Sequence, residues 1–251
     1  MGETLCGGGK MKPAVAVLYA PGVNCHEETA FALEIVGLEG KIVNVNNLFS
    51  GEDKLTRYQA MVVPGGFSWG DHLGAGRLFG VHLVSRLAEQ LETLVEDGKP
   101  ILGICNGFQV LVETGLLPDK TVGKRSAALL QNNSAVYESR FVDLLVTDDK
   151  SIWTAGLKGR ILRMPVAHGE GRLYWENKDI IRPVVCYAKD GAATEEYPAN
   201  PNGTPGGIAG IRDSSGLILG LMPHLERAVL PWHGSVDGLA FFKNLARHLE
   251  G

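Results

Sequence analysis

Apolar and polar positions alternate in blocks along the first half of the chain. Residues 14–20 (AVAVLYA), 60–63 and 101–104 are apolar runs of strand length, and 41–45 is strand-like; the run 60–63 closes on Pro64-Gly65-Gly66 and 101–104 on Cys105-Asn106-Gly107. Between the runs, residues 27–36 carry Ala30 and Leu33 on one side, with Val36 or Phe31 beside them. Residues 78–95 repeat Leu83, Leu87, Leu91 and Leu94-Val95 at helical spacing. Strands alternating with helices predict a parallel sheet covered on both faces. Such sheets bind ligands at the carboxyl ends of their strands, where the 64–66 turn and Cys105 both fall.

From about Ser126 the pattern changes. Residues 135–146, 161–166, 184–188, 208–211 and 217–222 are short β-like runs separated by turn clusters such as Asn200-Pro201-Asn202-Gly203, and residues 238–249 close the chain as an amphipathic helix. The expected fold is therefore α/β: a mostly parallel open sheet with helices on both faces and a strand-rich second half, antiparallel at one edge. No internal repeat or linker divides it, and 251 residues suffice for one large domain.

Composition narrows the function classes. The net charge of −4 (24 basic and 28 acidic residues) comes without a long charged run, which argues against a nucleic-acid groove or a membrane-surface patch. Glycine is at about twice its usual share, as tight strand-to-helix corners require. Cys6, Cys25, Cys105 and Cys186 form no C-x-x-C pair, and the start lacks an apolar signal region. They read as reduced thiols of a soluble cytoplasmic protein. No run approaches the ~20 apolar residues of a membrane helix, and the histidines and cysteines show no metal-ligand spacing.

The chemistry converges on Cys105. Gly103-Ile104-Cys105-Asn106-Gly107 fits the G-x-nucleophile-x-G elbow, in which small neighbours make room for a sharp strand-to-helix turn. The helix N-terminus that follows favours an anion. A cysteine nucleophile needs a base and an orienter. His224 follows the apolar run 217–222, and Glu226 lies two residues on, on the same side if the chain stays extended. Gly65, Gly66 and Phe67 form a strand-end turn able to bring amides to an oxyanion, and the Asn106 amide is a second donor. Cys25, beside His26, is a rival nucleophile without framing glycines. His168 and Glu170 form a second His-x-Glu pair.

A Gly-Gly turn, a cysteine elbow and then His-x-Glu, in that order, resemble the class I glutamine amidotransferases. Pro21-Gly22-Val23-Asn24-Cys25, Pro64 to Asp71, Gly103 to Gln109 and Ala167-His168-Gly169-Glu170-Gly171 resemble in particular the separate glutaminase subunits of phosphoribosylformylglycinamidine synthase. The resemblance spans residue 14 to the C-terminus, so the domain is taken as 12–251, with residues 1–11 a fraying extension. It implies that Cys105 attacks the carboxamide of L-glutamine, with His224 as base and Glu226 as its orienter, and that a glutamyl thioester forms and is hydrolysed. It also implies that Gln109, Asn133 and Ser134 help bind glutamine, and that His168 and Glu170 serve coupling or an interface. Ammonia would pass to a large synthetase subunit, often with a small bridging subunit. That partner uses ATP and Mg to convert formylglycinamide ribonucleotide to formylglycinamidine ribonucleotide in purine (IMP) synthesis. This chain would hold no cofactor, in keeping with the lack of a Walker A motif. It departs from the family at Leu225, where proline is usual, which predicts a looser turn, and at Cys25-His26-Glu27-Glu28.

Overall fold

The runs 60–63 and 101–104, β3 and β4 below, are buried at every position, as strands inside a sheet covered on both faces must be. They belong to a computed structural model that describes residues 12–251. The extension 1–11, with Cys6, lies outside the described residues. The first half runs β1 (Ala14–Tyr19), α1 (His26–Ile35), β2 (Glu39–Asn44), α2 (Val45–Ser50), β3 (Ala60–Val63), α3 (Arg77–Glu96), β4 (Ile101–Ile104) and α4 (Asn106–Glu113). The second half runs β5 (Ala127–Gln131), β6 (Glu138–Val146), β7 (Ile161–His168), β8 (Glu170–Trp175), β9 (Arg182–Lys189), β10 (Ala192–Ala193), β11 (Ile208–Arg212), β12 (Ile218–Leu221) and α5 (Leu239–Glu250).

The main sheet has the order β2-β1-β3-β4-β12-β11-β9-β6-β7, with β10 beside β9, while β5 and β8 pair separately. Strands β2, β1, β3, β4 and β12 are mutually parallel. From β12 onward every pairing is antiparallel. The parallel half thus includes one strand from the far end of the chain, and β12 brings its loop next to the β4 elbow.

The antiparallel half then curls back over the strand ends. Strand β7 lies five places from β4 in the sheet order, yet His224 N donates to Pro165 O at 2.8 Å and the Cys105 thiol points at Ala167 O at 3.5 Å. Both carbonyls belong to β7, an edge strand whose unpaired backbone groups are free to bond outside the sheet.

Helix α3 buries Phe79, Leu83, Leu87, Leu91 and Leu94, the stripe that its spacing predicts. Helix α4 lies so close to β3 that a Cβ on Gly107 would meet Val63 O at 1.8 Å, and one on Gly103 would meet Gly107 O at 2.6 Å. The two glycines of the elbow therefore serve a close approach of helix to sheet. Three elements differ from the sequence pattern. Helix α2 follows β2 without a break, and β5 and β8 are half-exposed strands whose mixed polarity hides their alternation. Strand β6 starts at Glu138 instead of residue 135, because Ala135 N bonds Asn132 O in a turn. Among the described residues no helix is long and apolar enough to cross a membrane.

Candidate active site

Three neighbouring parallel strands deliver three loops to one place: β3 leads to Gly65-Gly66, β4 to Cys105 and β12 to His224. Cys105 has φ 52° and ψ −107°, a conformation that non-glycine residues rarely adopt and that costs of order 1–3 kcal/mol. Its backbone is held at both ends, with its N donating to Leu221 O at 2.8 Å and its O accepting from Phe108 N at 2.9 Å. The side chain is 4% exposed at the head of α4.

His224 Nδ1 and Glu226 Oε1 are 2.5 Å apart, and both residues are buried. Glu226 arrives by a 3-10 turn, Leu225–Arg227, and not by the extended chain its spacing suggests. Leu225 is fully buried, so the turn expected to be loose is packed into the core. His224 Nε2 and Glu226 Oε2 have no hydrogen-bond partner among the described residues. The base nitrogen is therefore free for a reacting group. Burial alone would push the imidazole down, but the Glu226 carboxylate and the Cys105 and Cys25 thiols outweigh it and hold His224 well above its ordinary 6.5. Burial likewise opposes ionisation of Glu226, and the imidazolium wins, holding it below 4.5.

The two shifts set a pH window. The His224 contribution to stability is complete below 6.5 and lost as pH rises through its raised value. The Glu226 contribution is complete above 4.5 and lost as pH falls through its lowered value. The melting-temperature difference between wild type and Glu226→Gln is therefore expected to peak between pH 4.5 and 6.5. A difference that is flat with pH would mean the pair is not charged.

Gly65 and Gly66 shape the opposite wall. A Cβ on Gly65 would lie 2.7 Å from His224 Cε1 and 3.2 Å from Cys25 Sγ. Gly65→Ala is expected to fold, because a ring edge can move, and to lower kcat about a hundredfold by displacing the base. Wild-type kcat in that variant would show that the ring tolerates the shift. The oxyanion donors are fewer than the sequence suggests. Phe67 N is taken by Gly22 O at 2.8 Å and Ser68 N by Asn106 Oδ1 at 3.2 Å. This removes the Phe67 amide from the donor set and leaves those of Gly65, Gly66 and Asn106, the last in the first turn of α4, where amides lack helical partners. The Phe67 ring lies half-exposed near Tyr137, with centroids 6.2 Å apart.

Cys25 Sγ sits 3.9 Å from His224 Nδ1, on the Glu226 side of the ring, and accepts from Arg227 Nη2 at 3.2 Å. Burial pushes its thiol up, against a nucleophilic role. Cys25, His224 and Glu226 also form a thiol–imidazole–carboxylate group of a kind that can hold a metal. Sequence spacing does not reveal it, and its donor atoms already bond to one another and to Arg227.

Gln109 is one turn past the nucleophile. Its Oε1 accepts from Asn106 Nδ2 at 2.9 Å and its Nε2 donates to Glu170 O, which leaves one N–H and one lone pair for a substrate. Glu170 Oε2 accepts from Ala75 N at 3.1 Å, and Asn106 Nδ2 also donates to Asp71 Oδ1 at 3.1 Å. Burial and then the Glu170 charge raise Asp71 to about 6. Asn133 and Ser134 go elsewhere. They line a separate groove of about 470 Å³ with Tyr197 and Asn200, and Asn133 packs under Gly203. The residue before them, Asn132, faces His168. His168 is 2% exposed, so its side chain does not reach a surface interface. Sequence reasoning missed Asp71, Asn132 and Ala167 O. Positive φ at Trp69, Asp71 and Leu73 marks the first of these loops, but nothing in residue type announces it.

Comparison with known proteins agrees with this geometry. Residues 12–243 match the CobB/CobQ-like glutamine amidotransferase domain family. The chain is 43% identical over 250 residues to phosphoribosylformylglycinamidine synthase subunit PurQ of Dehalococcoides mccartyi, covering 94% of this chain and 97% of that one. It is 42% identical over 230 residues to the subunit of the same name from Methanococcus maripaludis, covering 87% and 84%. The structure of PurLQS from Thermotoga maritima contains a similar chain, at TM-score 0.79 and 36% identity, covering 95% of this chain and all of that one. A glutamine amidotransferase from the same organism, 14% identical with TM-score 0.53 and covering 96% and 93%, shares the fold.

Proposed function

The chain belongs to the CobB/CobQ-like glutamine amidotransferase family, in its PurQ branch, and from that premise we propose how its residues divide the reaction. The chain is the glutaminase subunit of phosphoribosylformylglycinamidine synthase. One observation carries the assignment of roles: a strained, backbone-locked Cys105 beside a buried His224–Glu226 pair whose base nitrogen has no partner among the described residues.

Cys105 attacks the carboxamide carbon of glutamine as the thiolate, its proton held by His224. The amides of Gly66 and Asn106 receive the oxyanion. His224 passes its proton to the departing nitrogen, the C–N bond breaks, and ammonia leaves a glutamyl thioester. Water then attacks the thioester, with His224 taking its proton and returning it to the thiol as glutamate leaves. Glu226 holds the imidazole with its proton on Nδ1 when neutral, so that Nε2 faces the reaction. Gln109 offers its remaining N–H and lone pair to the α-amino and carboxylate groups.

Ammonia passes to a synthetase subunit that uses ATP and Mg, aided by a small bridging subunit; this chain itself needs no cofactor and works in the cytoplasm. The PurLQS assembly of the Thermotoga maritima relative supports the partnership. The test is formation of formylglycinamidine ribonucleotide by the synthetase partner with ATP, with and without this chain. Glutamine use conferred on a synthetase otherwise dependent on free ammonia supports the reading. Glutamine hydrolysis without any gain in product leaves the glutaminase and rejects the partner.

A further inference from the structure

Two buried acceptors in the antiparallel half have nothing to accept. Glu138 and His168 are directly opposed in the β6–β7 ladder, so their side chains leave the same face, with Cβ atoms about 5 Å apart. Glu138 is 4% exposed and His168 2%. Neither Glu138 Oε1 nor His168 Nε2 has a hydrogen-bond partner among the described residues. Buried polar groups without partners are few in folded proteins, and each calls for an explanation such as a ligand, a water or a catalytic role.

The surrounding bonds determine what kind of ligand fits. Asn132 Nδ2 donates to Val136 O at 3.1 Å and to His168 O at 2.8 Å, which sets the orientation of its amide. Its Oδ1 then accepts from Gly171 N at 3.1 Å and faces His168 Nδ1 at 3.1 Å. Nδ1 must carry the ring proton, and Nε2 presents a lone pair. Burial, and after it the charges of His224 and Arg140, push this imidazole down to about 3, so Nε2 stays bare near neutrality. Glu138 Oε2 is bound by Arg140, which leaves Oε1 as the second open acceptor.

These two residues offer two acceptors and no donor. A water would satisfy both with its hydrogens and leave its two lone pairs bare. Ammonia satisfies both in the same way with two of its three N–H groups, and it is the small donor that the reaction at Cys105 releases. The pair also lies near the chemistry: the residue before His168 supplies the carbonyl that Cys105 Sγ meets at 3.5 Å, and the His224 charge acts on the His168 ring.

We propose that His168 Nε2 and Glu138 Oε1 form the first holding site for the ammonia released at Cys105, an inference that rests on the glutaminase reading above. Held through two of its N–H groups, ammonia keeps its lone pair clear of both acceptors.

Three variants test this in the complex with the synthetase partner. His168→Asn takes the acceptor away from the ε position, His168→Gln puts an acceptor back near it, and Glu138→Gln turns an N–H into the pocket while its oxygen keeps Arg140. The measurements are glutamate formed from glutamine, amidine product per glutamate, and product formed from added ammonium chloride. In His168→Asn and Glu138→Gln the product-to-glutamate ratio is expected to fall about fivefold, the scale of one lost hydrogen bond. Glutamate formation and ammonium-supported synthesis stay near wild type, and His168→Gln recovers the ratio. An unchanged ratio in both variants overturns the proposal. Loss of glutamate formation in step with product also overturns it, since that outcome means a structural role. So does accumulation of the glutamyl thioester, which would mean that the pocket holds the hydrolytic water. A wild-type chain that confers no glutamine use on the synthetase fails the underlying reading instead, and does so before any variant is compared.

Discussion

Cys105→Ala is expected to abolish glutamine-dependent amidation, by at least about a thousandfold, while synthesis from free ammonia by the complete enzyme persists. The reason is that the thioester has no substitute route: the oxyanion donors and the base remain, but no atom is left to form the covalent bond. Fold and assembly should survive, because alanine removes one sulfur and retains the Cβ that the elbow already accommodates. The strain at φ 52° is unchanged, since it belongs to any non-glycine residue there. The measurement is amidine product from glutamine and, separately, from ammonium chloride, with the partner synthetase present. Loss of both activities would assign Cys105 to structure. Retention of glutamine use would move the nucleophile elsewhere, and Cys25, the other thiol beside His224, would be the next to test.

Glu226→Gln carries the second large expectation, a fall in glutamine hydrolysis of about a thousandfold to ten-thousandfold, as found where a base loses its carboxylate orienter. The carboxylate is buried, sits 2.5 Å from Nδ1, and outweighs the burial that would otherwise push the imidazole down. An amide in its place either turns its NH2 toward Nδ1, which forces the ring proton onto Nε2, or turns its oxygen there without charge. In the first case the base is blocked, and in the second the imidazolium loses its counter-charge. Alkylation of Cys105 by iodoacetamide reads the same event apart from substrate binding, and should slow with hydrolysis. Hydrolysis close to wild type would show that Glu226 orients nothing that matters.

Much of this was legible in the residues. The strands β1, β3 and β4 and the stripe on α3 follow from short-range periodicity, which a side chain expresses through its immediate neighbours. The elbow was legible in part for the same reason: Gly103 records a contact with Gly107 made within one turn of chain, whereas Gly107 itself answers to Val63 on β3. The strands β5 and β8 were not, because half-exposed strands paired only with each other show little alternation. The sequence also does not show that Asn132, next to Asn133 and Ser134, turns its side chain inward to His168, because that contact joins segments thirty-six residues apart. Phe67 stands in the right loop, but its amide is spent on Gly22 O, a bond between segments some forty-five residues apart.

The sequence by itself determined the reactive types and their order: a cysteine on a glycine-framed turn, a glycine pair before it, and a histidine with a carboxylate after it. Each is a local arrangement, set by steric demands that a few adjacent residues must meet. Only the tertiary structure decided which of these groups meet and which face inward. Strand β12 joins β4 from across the chain, the antiparallel half curls until the edge of β7 bonds the catalytic loops, and that closure buries His168 and Glu138 together. Such long-range pairings arise from the burial of whole faces, a property of the assembled sheet that no single stretch of chain contains.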